Sequence, residues 1–247
     1  MIVFVTGATA GFGAAIARRF AADGARVVAA GRRGDRLQAL REELGTRLLP
    51  LELDVRDRAA VDAAVAGLPA EFAEVDILVN NAGLAQGLHP AQTADLDDWD
   101  RMIDTNIKGL TYCTRALLPG MVARNRGHVV NIGSVAGEWP YPGGNVYGGT
   151  KAFVRQFSLN LIADLLGTRV RVSEIEPGMA ETEFSLVRFH GDAARAGAVY
   201  SGIKPLSAED IADTVHWIVS RPPHVNINTI SLMPVNQSFA GFTIKRE

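Results

Sequence analysis

Two kinds of segment alternate along almost the whole chain. Short runs rich in apolar and β-branched residues, such as Ile2–Thr6, are each followed by a longer segment whose apolar residues have helical spacing, such as Phe12–Ala22. Strands that are apolar along their length and joined by helices are typical of a parallel sheet with helices on both faces. The sequence therefore predicts an α/β fold built on a doubly wound parallel sheet.

Seven strands are predicted, at Ile2–Thr6, Arg26–Ala30, Leu48–Asp54, Asp76–Asn80, His128–Ile132, Val170–Glu174 and Thr229–Met233. The predicted helices are at Phe12–Ala22, Asp35–Leu44, Arg58–Gly67, Asp95–Val122, Asn145–Leu166 and Ala208–Ser220. Residues 178–205 are too many for an ordinary connection, so a substrate lid is predicted there. No linker or repeat divides the 247 residues, which predicts a single domain over residues 1–247.

Charge and cysteine content narrow the class of protein. The net charge of −2 gives no indication of a large basic surface for nucleic acid. No apolar run approaches the length needed to cross a membrane, and the N-terminal MIVFVTG indicates a strand and not a signal peptide. The single Cys113 excludes an internal disulfide and suits a reducing compartment. We therefore expect a cytoplasmic protein with no nucleic-acid or membrane partner.

A glycine-rich loop, Thr6–Gly13, connects the first strand to the first helix. A doubly wound fold binds a pyrophosphate at this place, because glycines allow close backbone approach and the helix N-terminus favours an anion. The alternative is a turn that needs glycine only for close packing. The residues predicted to hold a dinucleotide here are Gly7, Thr9, Ala10, Gly11, Phe12 and Gly13.

The end of the second strand indicates which dinucleotide is bound. NAD-binding folds place an acidic residue there for the ribose hydroxyls, whereas this chain has Arg32 and Arg33. Guanidinium groups suit a phosphate dianion, which favours NADP over NAD; the alternative is two solvated arginines. Asp54 and Val55 are predicted to hold the adenine, although Asp54 could equally cap the next helix. Asn81 is expected at the same edge of the sheet.

Ser134, Tyr147 and Lys151 form the candidate catalytic group. If a helix begins near Asn145, Tyr147 and Lys151 lie one turn apart on one face. The helix N-terminus and the Lys151 ammonium would both lower the pKa of the Tyr147 phenol, and Ser134 could donate a hydrogen bond at the same point. This arrangement predicts proton transfer to or from a substrate oxygen. The alternative is an exposed helical surface without a catalytic role.

These residues, with NNAG (80–83), Asn106 in TNIKG and Pro177-Gly178, give the chain a resemblance to the short-chain dehydrogenases/reductases. The resemblance covers essentially the whole chain and implies a Rossmann-type fold. It also implies a catalytic tetrad of Asn106, Ser134, Tyr147 and Lys151. Within that tetrad, Lys151 would bind the cofactor ribose and Asn106 would anchor a water that relays protons. Pro177, Gly178 and Thr182 would surround the nicotinamide.

Phe12, GRR (31–33) and the runs at 144–161 and 224–238 resemble one branch of that family, the NADP-dependent 3-hydroxy acid dehydrogenases. The branch implies serine, allo-threonine and 3-hydroxypropionate/malonic semialdehyde as substrates, although MAETEFS after Gly178 is about one residue shorter than in that branch. Arg188 is the favoured partner of a substrate carboxylate, ahead of His190, Arg195 and Arg155. Trp139 and Tyr141 could form a pocket wall.

Other interpretations stay open on the sequence alone. A sulfoacetaldehyde reductase or a general carbonyl reductase would use the same tetrad, and an NADP(H)-binding regulator would use the fold without catalysis. No metal is expected, since no His/Cys/Asp/Glu cluster has zinc spacing. Apolar residues around the helices at 95–122 and 147–166, and Phe239 and Phe242 in the tail, predict a homo-oligomer, with a tetramer implied by the resemblance. A monomer with an apolar surface is the alternative.

Overall fold

A computed structural model describes residues 1–239 and contains a seven-stranded parallel sheet in the order β3-β2-β1-β4-β5-β6-β7. The strands are β1 (Ile2–Thr6), β2 (Arg26–Gly31), β3 (Leu48–Glu52), β4 (Ile77–Asn80), β5 (Gly127–Ile132), β6 (Val170–Pro177) and β7 (Thr229–Leu232). The predicted α/β, doubly wound, Rossmann-type sheet with helices on both faces is confirmed. The predicted Phe242 lies outside the described residues.

Ten α-helices accompany these strands within residues 1–239. They are α1 (Gly11–Ala22), α2 (Gly34–Leu44), α3 (Arg58–Ala66), α4 (Ala70–Ala73), α5 (Leu96–Ile103), α6 (Leu110–Ala123), α7 (Asn145–Asp164), α8 (Phe184–Arg188), α9 (Ala193–Ala198) and α10 (Ala208–Val219). The short helices α8 and α9 belong to the segment expected to be a lid. That segment therefore has secondary structure of its own, which the sequence pattern did not predict.

The central strands are apolar toward both faces of the sheet. In β1, Val3 and Val5 pack into the core that contains Phe20 of α1 and Ile211 of α10, while Phe4 packs into the opposite core. Burial on both sides explains why these strands are continuous apolar runs with no polar alternation. Because every strand is parallel, all their carboxyl ends meet at one edge of the sheet, where most of the predicted site residues follow the strands.

Two further differences from the predictions concern the helix at 95–122 and strand β6. The helix predicted as continuous over 95–122 is divided into α5 and α6 by a π-helical segment, Asp104–Gly109. Apolar periodicity continues through this segment, so the pattern gave no sign of the extra residue in the turn. In addition, β6 extends to Pro177 and not only to Glu174, which buries Glu174 and Glu176 in the sheet. No helix within residues 1–239 is long and apolar enough to span a membrane.

Candidate active site

A cleft of about 710 Å³ runs along the carboxyl edge of the sheet. The predicted site residues that line it are Gly7, Thr9, Ala10, Gly11, Phe12, Arg32, Arg33, Asp54, Val55, Asn81, Ser134, Tyr147, Lys151, Pro177, Gly178, Thr182 and Arg188. Two predicted residues, Gly13 and Asn106, are not part of the lining. One cleft therefore joins the candidate dinucleotide loop to the candidate catalytic residues.

The glycine loop is shaped by its backbone and by Asn81. Gly7 and Gly11 have positive φ angles of 67° and 49°, which side chains with a Cβ rarely adopt. The Asn81 side-chain amide donates hydrogen bonds to the carbonyl oxygens of Thr6 at 2.9 Å and Gly7 at 3.2 Å. A Cβ at Gly13 would lie 2.6 Å from Asn81 Nδ2. Asn81 and Gly13 thus hold the loop from behind and keep its inner surface open.

The two arginines after β2 differ in their contacts. Arg32 is exposed and makes no hydrogen bond or ion pair with other atoms of residues 1–239. Arg33 donates to Thr9 Oγ1 from Nε at 3.0 Å and to Glu183 Oε2 from Nη1 at 2.9 Å. Both side chains lie at the cleft, where a phosphate group would meet positive charge. Glu183 belongs to the predicted lid, and the sequence did not indicate its role.

Asp54 lies in the cleft wall and does not cap a helix. Its carboxylate accepts hydrogen bonds from Arg56 Nε at 2.9 Å and from the Arg56 backbone at 3.0 Å, and the Arg56 guanidinium holds the pKa of Asp54 below its usual value. The N-cap of α3 is Asp57, whose side chain accepts from the Ala60 amide. The capping alternative for Asp54 is therefore wrong.

Tyr147 and Lys151 lie one turn apart on α7, which begins at Asn145 as expected. The Lys151 Nζ is 5.9 Å from the centre of the Tyr147 ring and donates to the Ile132 carbonyl oxygen at 2.7 Å. Ser134 follows β5 and lines the same cleft as Tyr147, and its hydroxyl donates to the Pro177 carbonyl oxygen at 3.5 Å. Its own Oγ accepts from the Ala136 amide at 3.1 Å, which fixes the hydroxyl at the end of the sheet.

The expected direction of the Tyr147 pKa shift is wrong for the chain without a ligand. Burial raises the pKa of Tyr147 to about 12, even though Ser134 and Arg188 act to lower it. Burial also lowers the pKa of Lys151 to about 8. Loss of water around the buried ring penalises the phenolate more than Ser134 and Arg188 favour it. Tyr147 is therefore protonated at neutral pH before any ligand binds.

Asn106 lies behind the catalytic residues, in the π-helical segment. Its Nδ2 donates to the Leu84 carbonyl at 2.9 Å and to Thr150 Oγ1 at 3.0 Å, while its Oδ1 accepts from the Leu84 amide. A Cβ at Gly83 would lie 3.3 Å from Asn106 Oδ1 and 3.6 Å from Lys151 Nζ. Asn106 Oδ1 and Lys151 Nζ therefore both lie close to Gly83. Thr150, which ties Asn106 to α7, was missed by the sequence analysis.

The far end of the cleft is formed by the predicted lid and an aromatic wall. The Arg188 guanidinium carbon lies 5.2 Å from the centre of the Tyr147 ring, and its Nη2 donates to Tyr141 Oη at 2.9 Å. Arg188 Nε is buried and has no hydrogen-bond partner within residues 1–239. Trp139 also lines this end and packs against Phe239, with the ring centres 4.4 Å apart and the ring planes tilted by 36°. A cationic group with an unused donor therefore faces the candidate catalytic tyrosine.

The other cations considered for this role lie elsewhere. Arg155 Nη1 donates to Glu138 at 2.9 Å and to Glu176 at 2.7 Å, outside the cleft. His190 pairs with Asp98 at 3.1 Å, and the Arg195 guanidinium lies 4.6 Å from the centre of the Phe189 ring. Of the four candidates, only Arg188 lines the cleft within the described part of the chain.

Comparison with known families agrees with this geometry. Residues 1–191 match the family model described as short chain dehydrogenase. The chain belongs to the short-chain dehydrogenase family. Its fold is that of this family, and the chain is an NADP-dependent oxidoreductase that acts on CH–OH groups.

Individual relatives narrow the comparison. The NADP-dependent 3-hydroxy acid dehydrogenase YdfG of Salmonella typhi is 62% identical over 247 residues, covering 100% of both chains. The serine 3-dehydrogenase of Rhizobium radiobacter is 54% identical and covers 99% of this chain and 98% of the relative. Among solved structures, the closed form of serine dehydrogenase complexed with NADP+ superimposes with a TM-score of 0.99 at 60% identity, covering 100% of both chains.

One buried acid of this dehydrogenase was not anticipated. Glu174 of β6 is only 1% exposed, and neither carboxylate oxygen has a hydrogen-bond partner within residues 1–239. The carboxyl group lies against Gly133, directly before Ser134. Burial, with the neighbouring Glu176, raises the pKa of Glu174 to about 8. The group is therefore neutral at neutral pH, which avoids an unpaired buried charge.

This raised pKa predicts a pH-dependent stability. The folded state holds a proton on Glu174 that the unfolded chain loses near its usual pKa of 4.5, so the wild-type protein loses stability as the pH rises from about 4.5 to 8. Glu174→Gln removes this loss. Between pH 5 and pH 8 the unfolding free energy of the variant should therefore rise relative to that of the wild-type protein by about 3 to 4 kcal/mol. Chemical denaturation at several pH values measures the difference, with Glu42→Gln on the exposed face of α2 as control. An equal offset at every pH would contradict the prediction.

Proposed function

We propose that the chain is an NADP-dependent dehydrogenase/reductase that transfers hydride between nicotinamide and the hydroxyl or carbonyl carbon of small 3-hydroxy acids. Serine, allo-threonine and the 3-hydroxypropionate/malonic semialdehyde pair are the proposed substrates. The observation that carries the proposal is a single cleft that contains the glycine loop, the Ser134–Tyr147–Lys151 group and the cation Arg188. The names of the 62% and 54% identical relatives support the same chemistry.

The cleft fits an NADP molecule. A Cβ at Gly7 would lie 2.9 Å from Asn81 and Ala82, and a Cβ at Gly11 would lie 3.2 Å from Thr182, so glycine allows this close packing. The loop lines the cleft and leads directly into the N-terminus of α1. Arg32 and Arg33 supply positive charge for a 2′-phosphate at the end of β2. The residues we propose to hold the cofactor are Gly7, Thr9, Ala10, Gly11, Phe12, Gly13, Arg32, Arg33, Asp54, Val55, Asn81, Tyr147, Lys151, Pro177, Gly178 and Thr182. When bound, NADP supplies the hydride donor or acceptor.

The side chains of the site would bind the substrate oxygen and transfer its proton. Tyr147, protonated at neutral pH in the ligand-free chain, would donate a proton to a carbonyl oxygen in reduction and accept it back in oxidation. Ser134 would hold the same oxygen by a hydrogen bond. Lys151, whose ammonium is fixed by the Ile132 carbonyl, would stabilise the phenolate form of Tyr147. Asn106 would anchor a water beside Lys151, through which the proton reaches solvent.

Arg188 would select acidic substrates. Its guanidinium lies over the Tyr147 ring and lines the cleft, so it would supply positive charge to a carboxylate bound there. The position of Arg188 beside the catalytic tyrosine suits a short acid whose carboxylate is close to the reacting carbon. The aromatic wall of Trp139 and Tyr141 limits the size of the remaining substituent.

The direct test is NADP+ reduction, followed at the nicotinamide absorbance, with L-serine, L-allo-threonine, 3-hydroxypropionate and 3-hydroxyisobutyrate, and with NAD+ in parallel. We expect turnover of several of these acids with NADP+ and far slower turnover with NAD+. Equal rates with NAD+ would contradict the proposed role of the arginines after β2. NADPH oxidation by neutral ketones or by sulfoacetaldehyde, with none of the four acids turned over, would favour the reductase alternatives. NADPH binding without any turnover would favour a regulator.

We further propose one catalytic domain over the whole chain, with residues 178–205 as its substrate lid and a cytoplasmic homotetramer as its assembly. Leu159 on α7 is 39% exposed and Leu166 just after it is 89% exposed, and Phe153 stacks on Phe157 along α7. Apolar groups gathered on one outer helix support burial against another copy of the chain. The single Cys113 suits the cytoplasm. Sedimentation equilibrium measures the assembly directly, and a monomer at micromolar concentration would exclude the tetramer.

A further inference from the structure

Three charged side chains meet at the mouth of the cofactor cleft. Glu183 Oε2 accepts from Arg33 Nη1 at 2.9 Å, and Glu183 Oε1 accepts from Arg36 Nη1 at 2.6 Å. Arg33 is also fixed on its other side, since its Nε and Nη2 donate to Thr9 Oγ1 at 3.0 and 2.7 Å. We call Arg33, Arg36 and Glu183 the clasp.

The clasp joins parts of the chain that lie on different sides of the cleft. Arg33 and Arg36 follow β2 and open α2, Thr9 is in the glycine loop, and Glu183 directly precedes α8 of the proposed lid. Glu183 is separated from Arg33 by 150 residues in sequence. The adjacent Thr182 also touches the glycine loop, because a Cβ at Gly11 would lie 3.2 Å from its Cβ. The segment before α8 is therefore tied to the opposite wall.

We propose that Glu183 is a positioning residue for the cofactor. Its ion pairs with Arg33 and Arg36 hold the start of the lid closed over the bound dinucleotide. The identity of that dinucleotide rests on the function proposed above. The closure itself rests only on the contacts of the clasp. No residue of the clasp belongs to the proposed catalytic tetrad.

The clasp is compatible with phosphate binding. A guanidinium has five N–H groups, and three of those of Arg33 are used by Thr9 and Glu183, which leaves two for a 2′-phosphate. Hydrogen bonds from Arg33 and Arg36 hold the pKa of Glu183 below its usual value, so its carboxylate is charged at neutral pH. A single exposed ion pair stabilises little, but here one carboxylate is shared by two arginines of which one is also anchored to Thr9.

The test measures lid opening and cofactor release in Glu183→Gln and Arg36→Ala. Hydrogen exchange of the amides of Phe184–Arg188 reports opening, in the ligand-free chain and with NADPH. Stopped-flow fluorescence measures NADPH release. We expect faster exchange of these amides in both variants, and NADPH release about three- to tenfold faster, as two exposed ion pairs of modest strength allow. Global unfolding should be unchanged.

The controls separate the clasp from a simple change of charge. Glu43→Gln breaks the exposed bidentate pair of Arg18 and Glu43, far from the cleft, and should alter neither readout. In the Glu183→Gln background, Arg36→Ala should add little, because the shared contact is already lost. Additive effects of the two changes, or wild-type exchange and release in Glu183→Gln, would overturn the proposal. Failure of the wild-type chain to bind NADPH would instead contradict the proposed function. Hydrogen exchange in the ligand-free chain would still test whether the clasp holds the lid closed.

Discussion

Tyr147→Phe is expected to lower kcat/KM for 3-hydroxy acids by about 10³-fold, the range typical of losing a positioned general acid–base. The ring of Tyr147 packs against Phe184 at 5.7 Å and is almost fully buried, so phenylalanine keeps the packing and removes only the hydroxyl. The proposed proton transfer then has no donor or acceptor of its own. Steady-state kinetics in both directions measures the loss, and NADPH fluorescence should show that cofactor binding is retained.

A matched control for this change is Tyr112→Phe on α6, which removes a hydroxyl from a half-buried tyrosine outside the cleft. Its turnover should equal that of the wild-type protein. If Tyr147→Phe kept more than about a tenth of wild-type kcat/KM, a value above the range for loss of a general acid, Tyr147 would not be the proton donor. Loss of NADPH binding together with turnover would point to a disturbed fold and not to missing chemistry.

Arg188→Ala is expected to lower kcat/KM for 3-hydroxy acids by about 10²- to 10³-fold and to leave reduction of neutral ketones nearly unchanged. The magnitude is that of removing one partner from a buried charged hydrogen bond. The guanidinium carbon lies 5.2 Å from the ring centres of Tyr147 and Phe184, which pack against each other, and Nη2 donates to Tyr141. Within the described residues, Arg188 is the only cation that lines the far end of the cleft, so a substrate carboxylate in the variant would have no positive partner there. Parallel kinetics with an acidic and a neutral substrate separates the two effects.

The same segment offers the control. Arg195→Ala on α9 removes an exposed arginine of the proposed lid that lies over Phe189 and outside the cleft lining. It should leave the ratio of acidic to neutral turnover at the wild-type value. An equal loss on both substrates in Arg188→Ala would show that Arg188 holds the aromatic wall in place and does not recognise the acid.

Most of the fold was readable from local patterns because each strand is a compact apolar run bounded by turn residues. Strand ends and the start of α7 at Asn145 agree with the predictions to within three residues. The π-helical segment that contains Asn106 could not be predicted, because one extra residue in a helical turn does not interrupt the apolar periodicity. The extension of β6 was missed since Glu174 and Glu176 look like exposed residues until their neighbours are known.

Residues of the candidate site could be predicted where one residue type is suited to one chemical role. The glycine loop and the Tyr147–Lys151 spacing are of this kind, and they lie in one cleft. The direction of the Tyr147 pKa shift could not be predicted, because the loss of water around the ring depends on how closely the lid covers it. Hydrogen bonds between residues far apart in the sequence, such as Arg33–Glu183 and Asn106–Thr150, could not be predicted either, since no spacing in the sequence relates the two partners.

The strand order has a consequence for how the protein is made. β1 pairs with β2 on one side but with β4 on the other, and Thr6 bonds to an Asn81 amide 75 residues further along the chain. A nascent chain that has emerged only as far as β3 therefore carries its first strand with one unpaired edge, and that strand is apolar on both faces. Such an edge is a template for association between chains. Between synthesis of β1 and of β4, this unpaired apolar edge is therefore open to association with other chains.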